Sequence, residues 1–147
     1  MKEYIRIASG QGFWGDLPDA PIKQVKKGPV DYLVMDYLAE VTMSIMQKQR
    51  MRNPAYGYAR DFVDVIGAIL PEIVDGGVKV ISNAGGVNPE ACKDALLAKI
   101  RDGGYEGKEV TVAVVDGDDI LNDMDSLISG GHSLSNMETG EPVEVIK

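Results

Sequence analysis

Short apolar runs alternate along the chain with longer segments in which apolar residues recur every three or four positions, and glycine pairs separate most of these units. The apolar runs predict four β-strands, over residues 4–8, 32–36, 79–82 and 109–115. The periodic segments predict amphipathic helices over residues 17–27, 38–52, 58–74, 89–101 and 120–128. Within residues 58–74, Pro71 is expected to kink the helix or to begin its last turn, because proline lacks the N–H that a helix interior needs.

The predicted strands are nearly continuous in apolar residues, as in VTVAVV at residues 110–115, rather than alternating. Such runs are typical of parallel strands that are buried on both faces. The predicted fold is therefore a single α/β domain over residues 1–147, with a three-layer, Rossmann-like, mostly parallel sheet of four to five strands and helices on both faces. Residues 132–147 lack a helical period and are predicted to be an irregular tail, in which residues 143–146 are a candidate fifth, edge strand.

Composition and charge exclude several classes of protein. The chain has 147 residues, a formal net charge of −8, one cysteine and one histidine. The acidic balance argues against a nucleic-acid partner, and Cys92 with His132 is too small a set for a disulfide framework or a cysteine/histidine zinc site. No apolar run reaches the roughly 20 residues of a membrane-spanning helix, and the first residues do not resemble a signal peptide. We therefore expect a cytoplasmic protein that binds neither nucleic acid nor membrane.

Four loops that follow predicted strands are rich in glycine, asparagine and aspartate, namely residues 9–16, 35–40, 82–89 and 115–119. The connections at the opposite ends of the strands are mostly glycine stops with charged neighbours. In open parallel sheets, ligands bind beyond the carboxyl ends of the strands. The sequence therefore predicts that these loops converge and form a site for a small-molecule substrate.

Gly10, Gly12 and Gly15 have the G-x-G-x-x-G spacing of dinucleotide-binding loops. In those loops the third glycine lies inside the helix, whereas here the helix is expected to start after Gly15, and Asp16 would repel a pyrophosphate. We therefore consider a dinucleotide unlikely at this position and expect a wide loop instead. Trp14, in the middle of the loop, either packs against a neighbouring element or forms a flat wall for a ligand.

Acidic side chains in two of the loops offer carboxylate chemistry. Asp36 and Glu40 flank the predicted start of a helix, and in one interpretation they only cap it and compensate its dipole. In the other, they and Asp116 of the fourth loop supply oxygens for general acid–base work or for a divalent cation. The sequence leaves both interpretations open.

The loop SNAGGVNP at residues 82–89 is the strongest candidate for binding an anion. Gly85 and Gly86 can direct backbone N–H groups outward, and Asn88 before Pro89 predicts the start of a helix with a partially positive N-terminus. A phosphate or carboxylate site and a plain turn are equally compatible with this stretch. Cys92, on the apolar face of that helix, is predicted to be buried and inert.

Five motifs together resemble the amino-terminal domain of the acyclic terpene utilisation family: SGQGFWGD, DYLVMDYLAEVTMSIM, KVISNAGGVNPEAC, VVDGDD and GHSLSNMETGEP. They occur in the family's order and at similar spacing, and they span nearly the whole chain. The family's chains are usually longer, so we expect these residues to represent a first domain. The resemblance implies a place in the breakdown of acyclic terpenoids such as citronellol and geraniol through coenzyme A thioesters, beside acyl-CoA carboxylases.

The positions that match the family's motifs coincide with the predicted loops. The implied catalytic candidates are Asp36, Glu40 and Asp116, and the implied substrate-binding candidates are Gly10, Gly12, Trp14, Asp16, Tyr37, Asn83, Gly85, Gly86 and Asn88. The leading hypothesis is a domain of a catabolic enzyme that acts on an organic acid or an acyl-CoA. The alternative is a non-catalytic assembly domain that supports a carboxylase-type partner or forms a homo-oligomer, with the loop at Phe13 and Trp14 as the contact.

Overall fold

In the computed structural model, residues 3–108 and 110–143 are described, and the chain divides into two compact units, Met1–Val114 and Val115–Lys147. The first unit contains the sheet and the longer helices. Its three strands are β1 (Ile7–Gln11), β2 (Tyr32–Met35) and β3 (Lys79–Ser82), which form one parallel sheet in the order β1-β2-β3. The prediction of an α/β fold with a parallel sheet is therefore confirmed.

Five helices connect or follow these strands: α1 (Asp19–Lys27), α2 (Glu40–Arg52), α3 (Arg60–Ala68), α4 (Leu70–Val74) and α5 (Pro89–Asp102). The predicted helix over residues 58–74 is broken at Ile69, whose φ of −120° is not helical. Pro71 occupies the first turn of α4. Its missing N–H costs no hydrogen bond there, because the N–H groups of a first turn have no partner within the helix. The expected effect of Pro71 is thus confirmed.

The sheet packs one face against the helices. Leu33 and Met35 of β2 are fully buried on this side, and α3 contacts both α1 and α5. Gly10 of β1 lies on the same side, and a Cβ there would come within 2.8 Å of both Leu33 and Pro21 of α1. The absence of a side chain at Gly10 therefore allows α1 to lie close against the sheet.

The opposite face of the sheet is not covered within this unit. Val34 lies between Ser9 of β1 and Ile81 of β3 in the strand register, and Ile7 precedes Ser9 by two residues, on the same face. Ile7, Val34 and Ile81 are 63%, 37% and 57% exposed. Right-handed crossovers between strands in the order β1-β2-β3 place all the connecting helices on one side. The predicted three-layer arrangement with helices on both faces is therefore not what the first unit shows.

Two predicted strands differ from the structure. The first strand begins and ends three residues later than predicted: Ser9 and Gln11 pair with β2, with Gly10 at an irregularity between them, although the composition of this stretch is typical of a loop. Residues 110–115 form no strand: Val110 and Val112 pack against the core, whereas Val115 is 94% exposed. The described residues thus contain three strands, and a sheet of four to five strands is not confirmed. Of the candidate fifth strand, residues 144–146 lie outside the described residues.

The second unit contains a 3-10 turn at Leu121–Asp123 and the short helix α6 (Met124–Ser129), which together match the predicted helix over residues 120–128. Asp119 Oδ1 accepts a hydrogen bond from the Leu121 N–H at 3.0 Å and so fixes the start of the turn. Residues 132–142, which lie in the predicted irregular tail, contain neither helix nor strand. No helix among the described residues has both the length and the apolar character needed to cross a membrane.

Candidate functional site

The loops that follow β1, β2 and β3 meet at one edge of the sheet. The Asp36 N–H donates a hydrogen bond to the Gln11 carbonyl at 3.0 Å, which joins the ends of β1 and β2. Ser82 Oγ donates to the Met35 carbonyl at 2.8 Å, which joins the ends of β2 and β3. The predicted meeting of three of the loops is therefore observed, while residues 115–119 belong to the second unit.

Asn83 uses both ends of its side-chain amide to hold the second loop. Its Oδ1 accepts a hydrogen bond from the Tyr37 N–H at 2.8 Å, and its Nδ2 donates to Asp36 Oδ1 at 2.7 Å. The bond from Asn83 is the largest cause of a lowered Asp36 pKa, and the N–H of Leu38 adds to the effect. Asp36 is thus an exposed, ionised carboxylate with a fixed orientation, whereas the Asn83 amide is already engaged.

Glu40 and Asp116 are the other two catalytic candidates. Glu40 is the exposed first residue of α2, which suits the N-terminal end of the helix dipole. Asp116 is exposed and belongs to the second unit. Among residues 3–108 and 110–143, no group of three or more His, Cys, Asp or Glu side chains is placed to hold a metal ion. The catalytic roles of these residues stay predictions.

Residues 82–89 form a close-packed turn in which the two asparagines have structural partners. Asn88 precedes α5 as predicted, but its amide does not cap the helix; instead it donates to the carbonyls of Pro54 and Tyr56 at 2.8 and 2.7 Å. Gly86 has a φ of +54°, and a Cβ there would lie 2.8 Å from the Gly57 carbonyl. The loop therefore anchors residues 53–59, and anion binding by Gly85 and Gly86 stays a prediction.

The glycine-rich loop after β1 adopts a geometry unlike a dinucleotide-binding turn. Gly10 lies within β1, and α1 begins only at Asp19, four residues after Gly15. The Asp16 carboxylate accepts hydrogen bonds from the N–H groups of Gly12 and Leu17, at 3.2 and 2.7 Å, so it closes its own loop. In the dinucleotide fold, by contrast, the following helix begins within the glycine motif, and its N-terminus holds the pyrophosphate.

Trp14 connects this loop to the start of α3. Its indole Nε1 donates to Asp61 Oδ1 at 3.0 Å, and its ring packs against the core. The neighbouring Phe13 ring, in contrast, is 61% exposed. Trp14 therefore packs against another element, and it also lines a cavity; its role as a wall for a ligand stays a prediction.

The cavity has a volume of about 440 Å³, within the usual range of roughly 300–1,000 Å³ for small-molecule pockets. We call it the Trp14 pocket; it is lined by Trp14, Gln49, Arg52, Asn53, Tyr56, Tyr58, Arg60 and Asp61. Apart from Trp14, none of these residues was a candidate from the sequence. The available signal was the stretch NPAYGYAR at residues 53–60, where aromatic residues and an arginine lie in a loop between two helices.

The lining of the Trp14 pocket combines positive charge with aromatic surface. The Arg60 guanidinium carbon lies 5.0 Å from the centre of the Tyr56 ring, a cation–π arrangement. Burial raises the pKa of the Tyr58 phenol, which keeps this group neutral and a hydrogen-bond donor. Arg52, Arg60 and Asp61 together carry a formal charge of +2 − 1 = +1, whereas the whole chain carries −8.

Next to Asp61 lies a buried phenol without a hydrogen-bond partner. Tyr37 is fully buried, its ring meets Phe62 edge-on at 5.7 Å, and its hydroxyl has no partner among the described residues. Burial, and secondly the negative charge of Asp61, raise the Tyr37 pKa. This phenol therefore stays protonated. Tyr37 is a substrate-binding candidate from the sequence, but unlike the exposed Asp36 it is inaccessible to solvent.

Comparison with known families identifies the chain. The model of the acyclic terpene utilisation family protein AtuA matches residues 5–147, nearly the full length. The chain therefore belongs to the acyclic terpene utilisation family, as its motifs predict. Neither the comparison with curated proteins nor that with solved structures finds a match.

Proposed function

We propose that this member of the acyclic terpene utilisation family is a domain of a cytoplasmic catabolic enzyme, and that it acts on an organic acid or an acyl-CoA thioester derived from acyclic terpenoids. Family membership supports the metabolic setting. The observation that carries an enzymatic role is the meeting of three polar loops beside the Trp14 pocket. Ligands of open α/β sheets bind at this edge.

The chemistry of the proposed site depends first on Asp36. Its lowered pKa makes it a carboxylate at neutral pH, suited to orient a substrate or to accept a proton, and unsuited to donate one. Glu40, on the next helix, is proposed as a further carboxylate of the same reaction, and the catalytic role of Asp116 stays a prediction from the sequence. The two hydrogen bonds of Asn83 keep the second loop in position for this role.

Turnover by the purified protein tests this proposal. The substrates are the acids obtained by oxidising citronellol and geraniol, each also supplied as its coenzyme A thioester. The Asp36→Asn variant retains an acceptor for Asn83 but loses the charge, so we expect kcat to fall by a factor of about 10² to 10⁴. Asp64→Asn is the matched control, since Asp64 pairs with Lys99 on the surface. Unchanged turnover in Asp36→Asn would contradict the catalytic assignment.

One observation favours the alternative of a non-catalytic assembly domain. Phe13 exposes 61% of its surface at the tip of the loop after β1, and an exposed aromatic ring is a common anchor of protein interfaces. In this alternative a carboxylase-type partner covers Phe13. A stable complex with such a partner that Phe13→Ser disrupts, together with normal folding of the variant, would support assembly over catalysis.

A further inference from the structure

We infer that the Trp14 pocket binds the carboxylate of a free organic acid, with Arg60 and Arg52 as its ligands and the aromatic side chains as the walls for its carbon chain. The inference rests on the proposed function for the chemical family of the acid. It adds to that proposal the chemical group that is recognised, a carboxylate, and it places the recognition in Arg52 and Arg60, which the family motifs did not indicate.

Charge is the first argument. Two guanidinium groups and one carboxylate leave the lining of the pocket with a formal charge of +1 in a chain of −8. A cationic pocket in an acidic protein attracts anions and concentrates the field in the cleft. Among the described residues, the ion pairs found involve neither Arg52 nor Arg60, so both guanidinium groups are available to a ligand.

The geometry of Arg60 is the second argument. Its guanidinium lies over the Tyr56 ring at 5.0 Å, and this contact restricts the orientation of a long, flexible side chain. The contact is with the ring face of Tyr56 and is not a hydrogen bond, so the N–H edge of the guanidinium is left for a ligand. Because that edge matches the two oxygens of a carboxylate, an arginine held in this way recognises a carboxylate in bidentate fashion.

The aromatic side chains of the pocket favour a ligand with an apolar carbon chain. Trp14 is fixed by its hydrogen bond to Asp61, and Tyr58 is only 8% exposed, so these surfaces are set before a ligand arrives. They offer apolar contact to a branched or unsaturated chain. An alcohol would make the same apolar contacts, but it carries no charge for the arginines. The pocket therefore discriminates in favour of the free acid.

Fluorescence of Trp14, the chain's one tryptophan, provides the test, with calorimetry as a second readout. The probes are citronellic acid, citronellol, and 4-phenylbutanoate as an unrelated carboxylate. We expect citronellic acid to change the emission and to bind at least about tenfold more tightly than citronellol, since the alcohol forgoes the charged hydrogen bonds.

Arg60→Gln should weaken binding of the acid at least about tenfold and leave binding of the alcohol unchanged. Arg101→Gln, at the end of α5, is the matched control and should bind as the wild type does.

Arg60→Lys separates charge from geometry and should weaken binding of the acid less than Arg60→Gln does. If Arg60→Gln does not fold, Arg52→Gln serves in its place, with the same expected loss. The inference would be overturned if the acid and the alcohol bind with equal affinity, or if neither arginine substitution changes the affinity for the acid. Arginine-dependent binding of 4-phenylbutanoate alone would uphold carboxylate recognition but contradict the terpenoid assignment, so the two failures are distinguishable.

Discussion

At the residue scale, Asn83 shows how one side chain can position a loop without touching a substrate. Its carbonyl oxygen holds the N–H of the buried Tyr37, and its N–H₂ group holds the carboxylate of Asp36. The sequence placed Asn83 in the loop that is the strongest candidate for binding an anion, and the family's motifs made it a substrate-binding candidate. Its partner, Asp36, is 47 residues away, so no local pattern indicates the bond.

Replacing Asn83 by alanine should therefore affect stability and the pKa of Asp36 together. The variant leaves the Tyr37 N–H without a partner, and we expect the free energy of unfolding to fall by about 1–3 kcal/mol. The Asp36 pKa should rise toward its ordinary value of 3.8, because its main stabilising bond is lost. Chemical denaturation and NMR titration of the carboxyl groups measure the two effects. Asn122→Ala, on the exposed turn of the second unit, should change neither quantity.

Cys92 provides a prediction about pH. Burial raises the pKa of its thiol from the ordinary value of 9.0 to about 11. Because the unfolded state loses this proton first, the contribution of Cys92 to stability is complete below about pH 9 and declines as pH rises toward 11. At pH 8 the native thiol should react with iodoacetamide roughly 100-fold more slowly than in the unfolded chain. Rapid labelling of the native protein would show that Cys92 is more accessible than the structure indicates.

At the scale of elements, boundaries are predictable where local chemistry sets them. The strand over residues 79–82 matches β3, and Asn88 before Pro89 correctly places the start of α5, because proline is favoured in the first helical turn. β1 was misplaced because pairing with β2, rather than composition, decides that Ser9 to Gln11 are in the strand. Residues 110–115 show the reverse error, since high β-propensity alone does not form a strand without a partner.

Gly10 and Gly12 form a natural pair for testing how α1 packs on the sheet. A Cβ at Gly10 would lie 2.8 Å from Leu33 and from Pro21, whereas the nearest atom at Gly12 is 4.0 Å away. We expect Gly10→Ala to lower the free energy of unfolding by about 1–3 kcal/mol through overpacking. Gly12→Ala should change it by less than about 1 kcal/mol. If thermal denaturation shows the same loss of stability in both variants, the spacing of the glycines, and not the packing of α1 on Gly10, determines the cost of the substitutions.

At the scale of the whole molecule, the sheet of the first unit has two unlike faces. Leu33 is completely buried beneath the helices, and Ile81 on the other face is 57% exposed. The near-continuous apolar strands predicted helices on both faces of the sheet. An apolar side chain in a strand, however, does not by itself indicate which element packs on it. The Trp14 pocket was also not predicted, because its walls come from the loop after β1, the end of α2, the start of α3 and the loop between these two helices.

A comparison of Leu33→Ala with Ile81→Ala measures this asymmetry. Leu33→Ala removes a fully buried side chain and should cost about 2–5 kcal/mol in the free energy of unfolding. Ile81→Ala should cost less than about 1 kcal/mol, since most of the side chain already contacts solvent. A cost at Ile81 that equals the cost at Leu33, in urea denaturation, would reveal a second layer on that face.

The account as a whole depends on the loops at the carboxyl edge of the sheet forming one small-molecule site with the Trp14 pocket. An NMR titration of the isotope-labelled protein with citronellic acid tests this most directly. We predict that the largest chemical-shift changes occur at the Trp14 indole and at the amides of residues 53–61, with smaller changes at Asp36 and Tyr37. Changes confined to other surfaces, or no change at millimolar acid, would contradict the account.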